Sequence, residues 1–172
     1  MAKIGIVLAT YNGEKYLAQM LDSLVAQTRQ ADFIVAVDDG SKDNTPAILK
    51  SFQDRLPLQI TRLEKNSGHR AAFSKALELA QPQLDDNDLI ALADQDDVWL
   101  PQKLKFLEKA MEAEQGEKPT LVFGDAQVVD ADGKIINKIE SIGNGYYRHV
   151  DPLTGETVDE FYDPERYERL QR

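Results

Sequence analysis

The sequence contains no cysteine, so neither a disulfide framework nor a thiolate metal site is open to it, which is compatible with the cytosol. It is also short of cations. Lys and Arg number 20 against 30 Asp and Glu, a formal net charge of −10, and no Lys/Arg run offers a basic track on that background. Such a surface repels polyanions, so nucleic acid is not an expected partner. Long apolar runs are missing as well: Ile4–Ala9 and Phe33–Val37 are strand-sized and far too short to cross a bilayer. The N-terminus lacks the apolar stretch of a signal peptide. A soluble, cytoplasmic protein is expected, with attachment to the inner face of the plasma membrane left open.

What is present is enough for one core: 172 residues, 42% of them hydrophobic. Lys3–Ala9 reads as a buried strand with Thr10-Tyr11-Asn12-Gly13 as its exit loop, and Leu17, Met20, Leu21, Leu24 and Val25 then recur at helical spacing. The unit repeats. Phe33–Val37 is followed by Asp38-Asp39-Gly40-Ser41 and by a helix opening at Thr45-Pro46, with Ile48, Leu49 and Phe52 on its buried face. Leu58–Leu63 leads through Asn66-Ser67-Gly68-His69-Arg70 to a helix whose inner face is expected to be Ala72, Phe73, Ala76, Leu77 and Ala80. Leu89–Ala93 ends at an acidic cluster, and Leu104, Leu107, Ala110 and Met111 mark a further helix.

Four strands alternating with four helices predict an α/β, Rossmann-like three-layer sandwich around a mostly parallel sheet. Thr120–Val129 and Lys134–Ile139, joined at Asp132-Gly133, read as a hairpin at a sheet edge. From Ser141 the composition turns polar and aromatic, and Asp151–Gly155 could join two short strands. The expected division is a domain over 1–140 and a tail over 141–172, the tail covering a sheet edge or pairing with a second copy.

Ligands of open α/β sheets bind beyond the carboxyl ends of the strands, so all four exit loops should share one rim. Asp94-Gln95-Asp96-Asp97 places three carboxylates within four residues. These repel one another unless a cation or hydrogen-bond donors neutralise them. Hard oxygen ligands suit Mg²⁺ or Mn²⁺ completed by a substrate diphosphate; the plainer reading is helix capping or a solvated loop. Asp38 and Asp39 could accept hydrogen bonds from a nucleobase imide or a ribose hydroxyl, or could simply build a turn. Tyr11 could stack on a base and Gly13 could admit the backbone to a ligand, although Tyr-Asn-Gly is also ordinary turn chemistry. Arg70 is the cation expected at a diphosphate, at a helix start, with His69 a helper or merely exposed.

Four segments in register, Ala9–Gly13, Val37–Ser41, Asn66–Gly68 and Asp94–Pro101, together resemble glycosyltransferase family 2, the group with a GT-A fold that transfers sugars from nucleotide diphosphates with inversion. The resemblance runs from about residue 3 to residue 137 and includes Asp125–Lys134. It implies a nucleotide pocket lined by Ala9, Thr10 and Tyr11. Asp39 with Asp38 would contact the base or ribose, Asp94 would lie near ribose and metal, and Asp96 would coordinate the cation. The Asp-Gln-Asp-Asp-Val-Trp variant looks most like bacterial enzymes that build rhamnose-containing or other surface polysaccharides, which implies a sugar-nucleotide donor and a glycan or lipid-linked acceptor.

An inverting transfer also needs a base for the acceptor hydroxyl. Glu156, Asp159 and Glu160 are available, but no spacing nominates one, and the catalytic base is unassigned. The alternative is a truncated or non-catalytic nucleotide-sugar-binding module. A signalling receiver domain would carry its acidic pair after the first strand, where Thr10-Tyr11-Asn12 stands. A dinucleotide-dependent oxidoreductase would need a Gly-x-Gly-x-x-Gly turn that this loop lacks.

Overall fold

The computed structural model describes residues 2–113, 121–122, 126–130, 134–143, 146–150 and 157–161. The chain divides into two compact units, Met1–Glu117 and Lys118–Arg172. The boundary read near residue 140 falls inside the second of these.

In the first unit, β1 (Ile4–Thr10), β2 (Phe33–Asp38), β3 (Leu58–Arg62) and β4 (Leu89–Asp94) form a parallel sheet of order β3-β2-β1-β4. Between them run α1 (Leu17–Val25), α2 (Thr45–Ser51) and α3 (His69–Ala80), with α4 (Lys103–Ala113) after β4. β1 and β2 are buried along their whole length, which is why they read as unbroken apolar runs without alternation.

Side-chain alternation along the strands sorts the core into two layers. Ile4, Ile6, Leu8, Ile34 and Ala36 face Leu17, Met20, Leu21 and Leu24 of α1, Leu49 of α2 and Leu104 of α4. Val7, Ala9, Val35 and Val37 face Ala72, Ala76 and Ala80 of α3. Three alanines at four-residue spacing form the face of α3 that meets the sheet, and Leu77, about 100° further round the helix than Ala76, is 40% exposed and not on the inner face as expected. β4 is an edge strand among the described residues, and its Leu92 is 57% exposed.

In the second unit β5 (Ala126–Val129), β6 (Ile135–Gly143), β7 (Tyr146–Val150) and β8 (Thr157–Phe161) form an antiparallel sheet in sequence order. The expected hairpin is β5–β6, paired from Ala126↔Ile139 to Val129↔Ile135. It lies at the edge of this separate sheet, because β6 gives its other edge to β7. The first strand is shorter than expected, as Leu121 and Val122 lie outside it. β7 and β8 pair from Tyr146↔Phe161 to Val150↔Thr157. The turns at Asp132-Gly133 and Asp151–Gly155 lie outside the described residues. Among the described residues no helix is long and apolar enough to cross a membrane.

Candidate donor-binding cleft

From β1 the chain steps outward to β2 and β3, then returns to lay β4 on the other side of β1. The exit loops of β1 and β4 therefore diverge, and a crevice opens between them at the carboxyl ends of the strands. A cavity of about 310 Å³ occupies this place. Of the residues expected at the site, Ala9, Thr10, Tyr11, Asp39, Asp94 and Asp96 line it, joined by Asn66, His69, Ala72 and Gln95. All four exit loops contribute, as the sequence implied. A larger, more open hollow of about 560 Å³ lies at the opposite ends of the strands. There Asp32 is paired with Arg29, Lys3 with Asp85 and Asp88, Gln59 with Gln83, and Gln53 with the Leu58 carbonyl, so its polar groups are engaged with one another.

One wall is made rigid by cross-bonding between the loops after β1 and β2. Asn12, with a φ of 46°, donates its N–H to Ser41 Oγ at 2.9 Å and accepts from Lys42 N–H at 2.9 Å. Gly13 N–H donates to Thr45 Oγ1 at 2.8 Å, Glu14 N–H to Asp43 at 3.0 Å, and Asn44 N–H returns to Glu14 at 3.0 Å. The turn between them needs Gly40, whose φ of 75° suits glycine and whose added Cβ would lie 3.0 Å from the Lys65 carbonyl carbon.

The two aspartates of this turn have different surroundings. Asp38 is fully buried and does not line the cleft. Its carboxylate accepts from the Ser41 N–H at 3.2 Å, the Ser41 hydroxyl and the Thr10 hydroxyl at 3.3 Å, and forms an ion pair with Arg62 Nε at 3.3 Å, tying together the ends of β1, β2 and β3. Asp39 lines the cleft. Its oxygens accept from Ser67 N–H at 2.7 Å and Gly68 N–H at 2.8 Å, which fixes the loop after β3. Each oxygen keeps a second lone pair for a ligand.

The expected cation Arg70 does not line the cleft; its neighbour His69 does, with Nε2 hydrogen-bonded to Asp94 Oδ1 at 2.9 Å. The edge of its ring also packs on Phe73 at 4.8 Å between centroids. The N-terminus of α3 thus opens on the acidic loop.

That loop is anchored from below. Trp99 is buried; its backbone N–H donates to Ser23 Oγ at 3.0 Å and Lys103 Nζ lies 4.2 Å from its ring centre. Gln27 of the α1 exit donates to the Leu100 carbonyl at 2.8 Å and accepts from Leu104 N–H at 3.1 Å, and Thr28 N–H donates to the Pro101 carbonyl at 2.7 Å. The tryptophan of the motif is therefore a buried anchor. Partial burial pushes the Asp97 carboxyl above the usual range, as do the like charges of Asp94 and Asp96, while Lys103 pulls the other way. Burial likewise lowers Lys103, against the attraction of Asp97.

Among the described residues no three His, Asp or Glu side chains form a closed metal cage. Asp94 and Asp96 are two exposed carboxylates on a cleft wall. That donor set fits Mg²⁺ or Mn²⁺, which takes one or two carboxylates and draws its remaining ligands from water and phosphate.

The family model "Glycosyl transferase family 2" matches residues 5–156. The chain belongs to glycosyltransferase family 2. Its relatives include the amylovoran biosynthesis glycosyltransferase AmsE of Erwinia amylovora, 34% identical over 130 residues, which cover 74% of this chain and 46% of that one. Among solved structures it resembles Staphylococcus aureus TarS 1-349 in complex with UDP-GlcNAc, at TM-score 0.58 and 24% identity over 74% of this chain and 40% of that one. It also resembles the mannosyltransferase PcManGT of Pyrobaculum calidifontis in complex with GDP-Man and Mn²⁺, at TM-score 0.56 and 21% identity over 74% of this chain and 36% of that one. At these identities the structural likeness shows the fold, which is of GT-A type. The family-2 chain spans less than half the length of the first three curated relatives it matches, between 42% and 46%.

Several residues that shape this family-2 cleft carry no chemistry legible in the sequence. Gln95 hydrogen-bonds both backbone groups of Tyr11, and Ser23 and Gln27 hold the acidic loop from the buried side of α1. His69 could have been found by helical spacing, since it precedes Ala72 and Ala76 by three and seven residues on the face that meets the sheet.

Proposed function

We propose that the chain binds the sugar-nucleotide donor of an inverting glycosyltransferase working in cell-surface polysaccharide synthesis. The observation that carries this reading is the meeting of Thr10, Tyr11, Asp39, Asp94 and Asp96 around one cleft at the switch point of the sheet. In it Ala9, Thr10 and Tyr11 take the nucleoside, Tyr11 offering a ring for the base. Asp39 accepts a hydrogen bond from base or ribose, while Asp38 holds the loops that present it. Asp94 and Asp96 hold Mg²⁺ or Mn²⁺, which when bound supplies positive charge to the diphosphate. The α3 N-terminus faces the same diphosphate, with His69, and not Arg70, lining the cleft there. The donors of the solved neighbours, UDP-GlcNAc and GDP-Man, support a nucleotide sugar as the ligand class.

In the transfer, an acceptor hydroxyl oxygen attacks the anomeric carbon as the bond to the β-phosphate oxygen breaks. The hydroxyl proton goes to a base, and the nucleoside diphosphate leaves. The described residues assign no base. Asp159 and Glu160 lie on β8, paired with Arg148 and Tyr147, and Glu156 lies outside the described residues.

Release of nucleoside diphosphate from UDP-GlcNAc or GDP-Man, followed with and without Mn²⁺, tests the reading. Metal-dependent release that vanishes in Asp96→Ala is expected of a transferase. Donor binding without release would make the chain a binding module instead.

A further inference from the structure

Gln95 stands between two aspartates of the acidic loop, yet its side chain serves a different loop. Its Oε1 accepts the Tyr11 N–H at 2.8 Å and its Nε2 donates to the Tyr11 carbonyl at 3.1 Å. One primary amide thereby satisfies both backbone groups of one residue, the pairing a neighbouring strand would give, at the place where β1 and β4 have separated and no longer pair as they do from Ile4↔Leu89 to Ala9↔Asp94. Space for the amide comes from Gly13: a Cβ there would lie 2.4 Å from Gln95 Oε1 and 2.8 Å from its amide carbon. Gly13 is not in a positive-φ conformation, so its lack of a side chain serves this contact and not the backbone.

We infer that Gln95 is a positioning residue for the nucleotide, its amide locking the base-facing Tyr11 to the loop that carries Asp94 and Asp96, so that the two sides of the cleft form as one unit. The inference rests on the donor-site reading above. Tyr11 is 39% exposed and, among the described residues, its loop is otherwise cross-bonded towards the β2 side, through Asn12, Gly13 and Glu14. Without the amide, the loop would remain folded but Tyr11 would lose its fixed distance from the acidic loop. A ligand that spans both would then have to order the two sides on binding, at a cost in affinity.

Two substitutions break the clamp from opposite ends. Gln95→Ala removes the amide; Gly13→Ala leaves Gln95 in place and pushes its flexible end off Tyr11, with the Gly13 N–H still free to reach Thr45. Calorimetry with Mn²⁺ and whichever of UDP, GDP or dTDP the unsubstituted chain binds gives the affinities, and urea denaturation without nucleotide gives the stabilities. Each variant should bind about tenfold more weakly, because the ligand must then order the loop that the amide had ordered, with the urea midpoint lowered only slightly by the loss of two exposed hydrogen bonds. In the double variant Tyr11→Ala/Gln95→Ala the second substitution should add little to the first, because Gln95 acts through Tyr11. Affinity within twofold of the unsubstituted chain in both single variants, losses that only track the urea midpoint, or full additivity with Tyr11→Ala would each overturn the inference while leaving the donor site standing. Failure of the unsubstituted chain to bind any of the three nucleotides would overturn both.

Discussion

Replacing Asp38 by Asn should destabilise the protein far more than its one-atom change suggests. Asp38 is 0% exposed and its two oxygens take three hydrogen bonds and one ion pair: the hydroxyls of Thr10 and Ser41 on Oδ1, and the Ser41 N–H with the paired Arg62 guanidinium on Oδ2. An asparagine can keep the hydroxyls on its remaining oxygen, but its NH₂ group then faces the Ser41 N–H and the guanidinium, donor against donor. The loss of the Ser41 bond and the unsatisfied buried N–H together cost about 2–4 kcal/mol. The Arg62 pair adds at most about 1 kcal/mol, since that side chain is 58% exposed. Urea denaturation followed by circular dichroism should therefore give a loss of about 2–5 kcal/mol. A loss under about 1 kcal/mol would refute the assignment of Asp38 as the fastener of the three strand ends.

Trp99→Phe should cost within about 1 kcal/mol, because the indole Nε1 is buried with no hydrogen-bond partner among the described residues, whereas Trp99→Ala should cost about 3–5 kcal/mol through the cavity left. A phenylalanine variant as unstable as the alanine one would show that the N–H has a partner. Ser23→Ala strands the buried Trp99 backbone N–H and should cost about 1–3 kcal/mol by the same assay; a neutral effect would contradict the anchoring of the acidic loop. Burial alone would raise Asp32, but the Ile4 N–H and the Arg29 guanidinium outweigh it and hold the carboxyl below its ordinary 3.8. The unfolded chain therefore binds more protons there, and the stability this group contributes is present above about pH 4 and lost as pH falls through that range. Asp32→Asn should flatten the fall in urea midpoint between about pH 5 and pH 3, and an unchanged slope would count against it.

The elements of the first unit were legible because β1 and β2 are buried on both faces and the helices carry clean apolar stripes. The four exit loops on one rim followed from the strand–helix alternation itself. What was not legible turned on direction. Asp38 is the last strand residue and Asp39 the next, so strand alternation separates them, one into the interior and one onto the cleft. The same holds for His69 and Arg70, where helical spacing gives His69 the sheet-facing position. Gln95 offered no signal, being a neutral residue whose partner is the backbone of a loop 84 positions away. The second unit was read only as far as turn residues allow, and its separate sheet depends on β6 pairing on both edges, which no local pattern encodes.

The central claim is a metal-dependent sugar-nucleotide site between β1 and β4. Titrating the chain by calorimetry with UDP, GDP and dTDP, each with and without Mn²⁺ and alongside Asp96→Ala, tests it most directly. One nucleotide should bind, Mn²⁺ should tighten it, and the Asp96 variant should lose the metal effect. Binding of none, or binding indifferent to both the metal and Asp96, would contradict it.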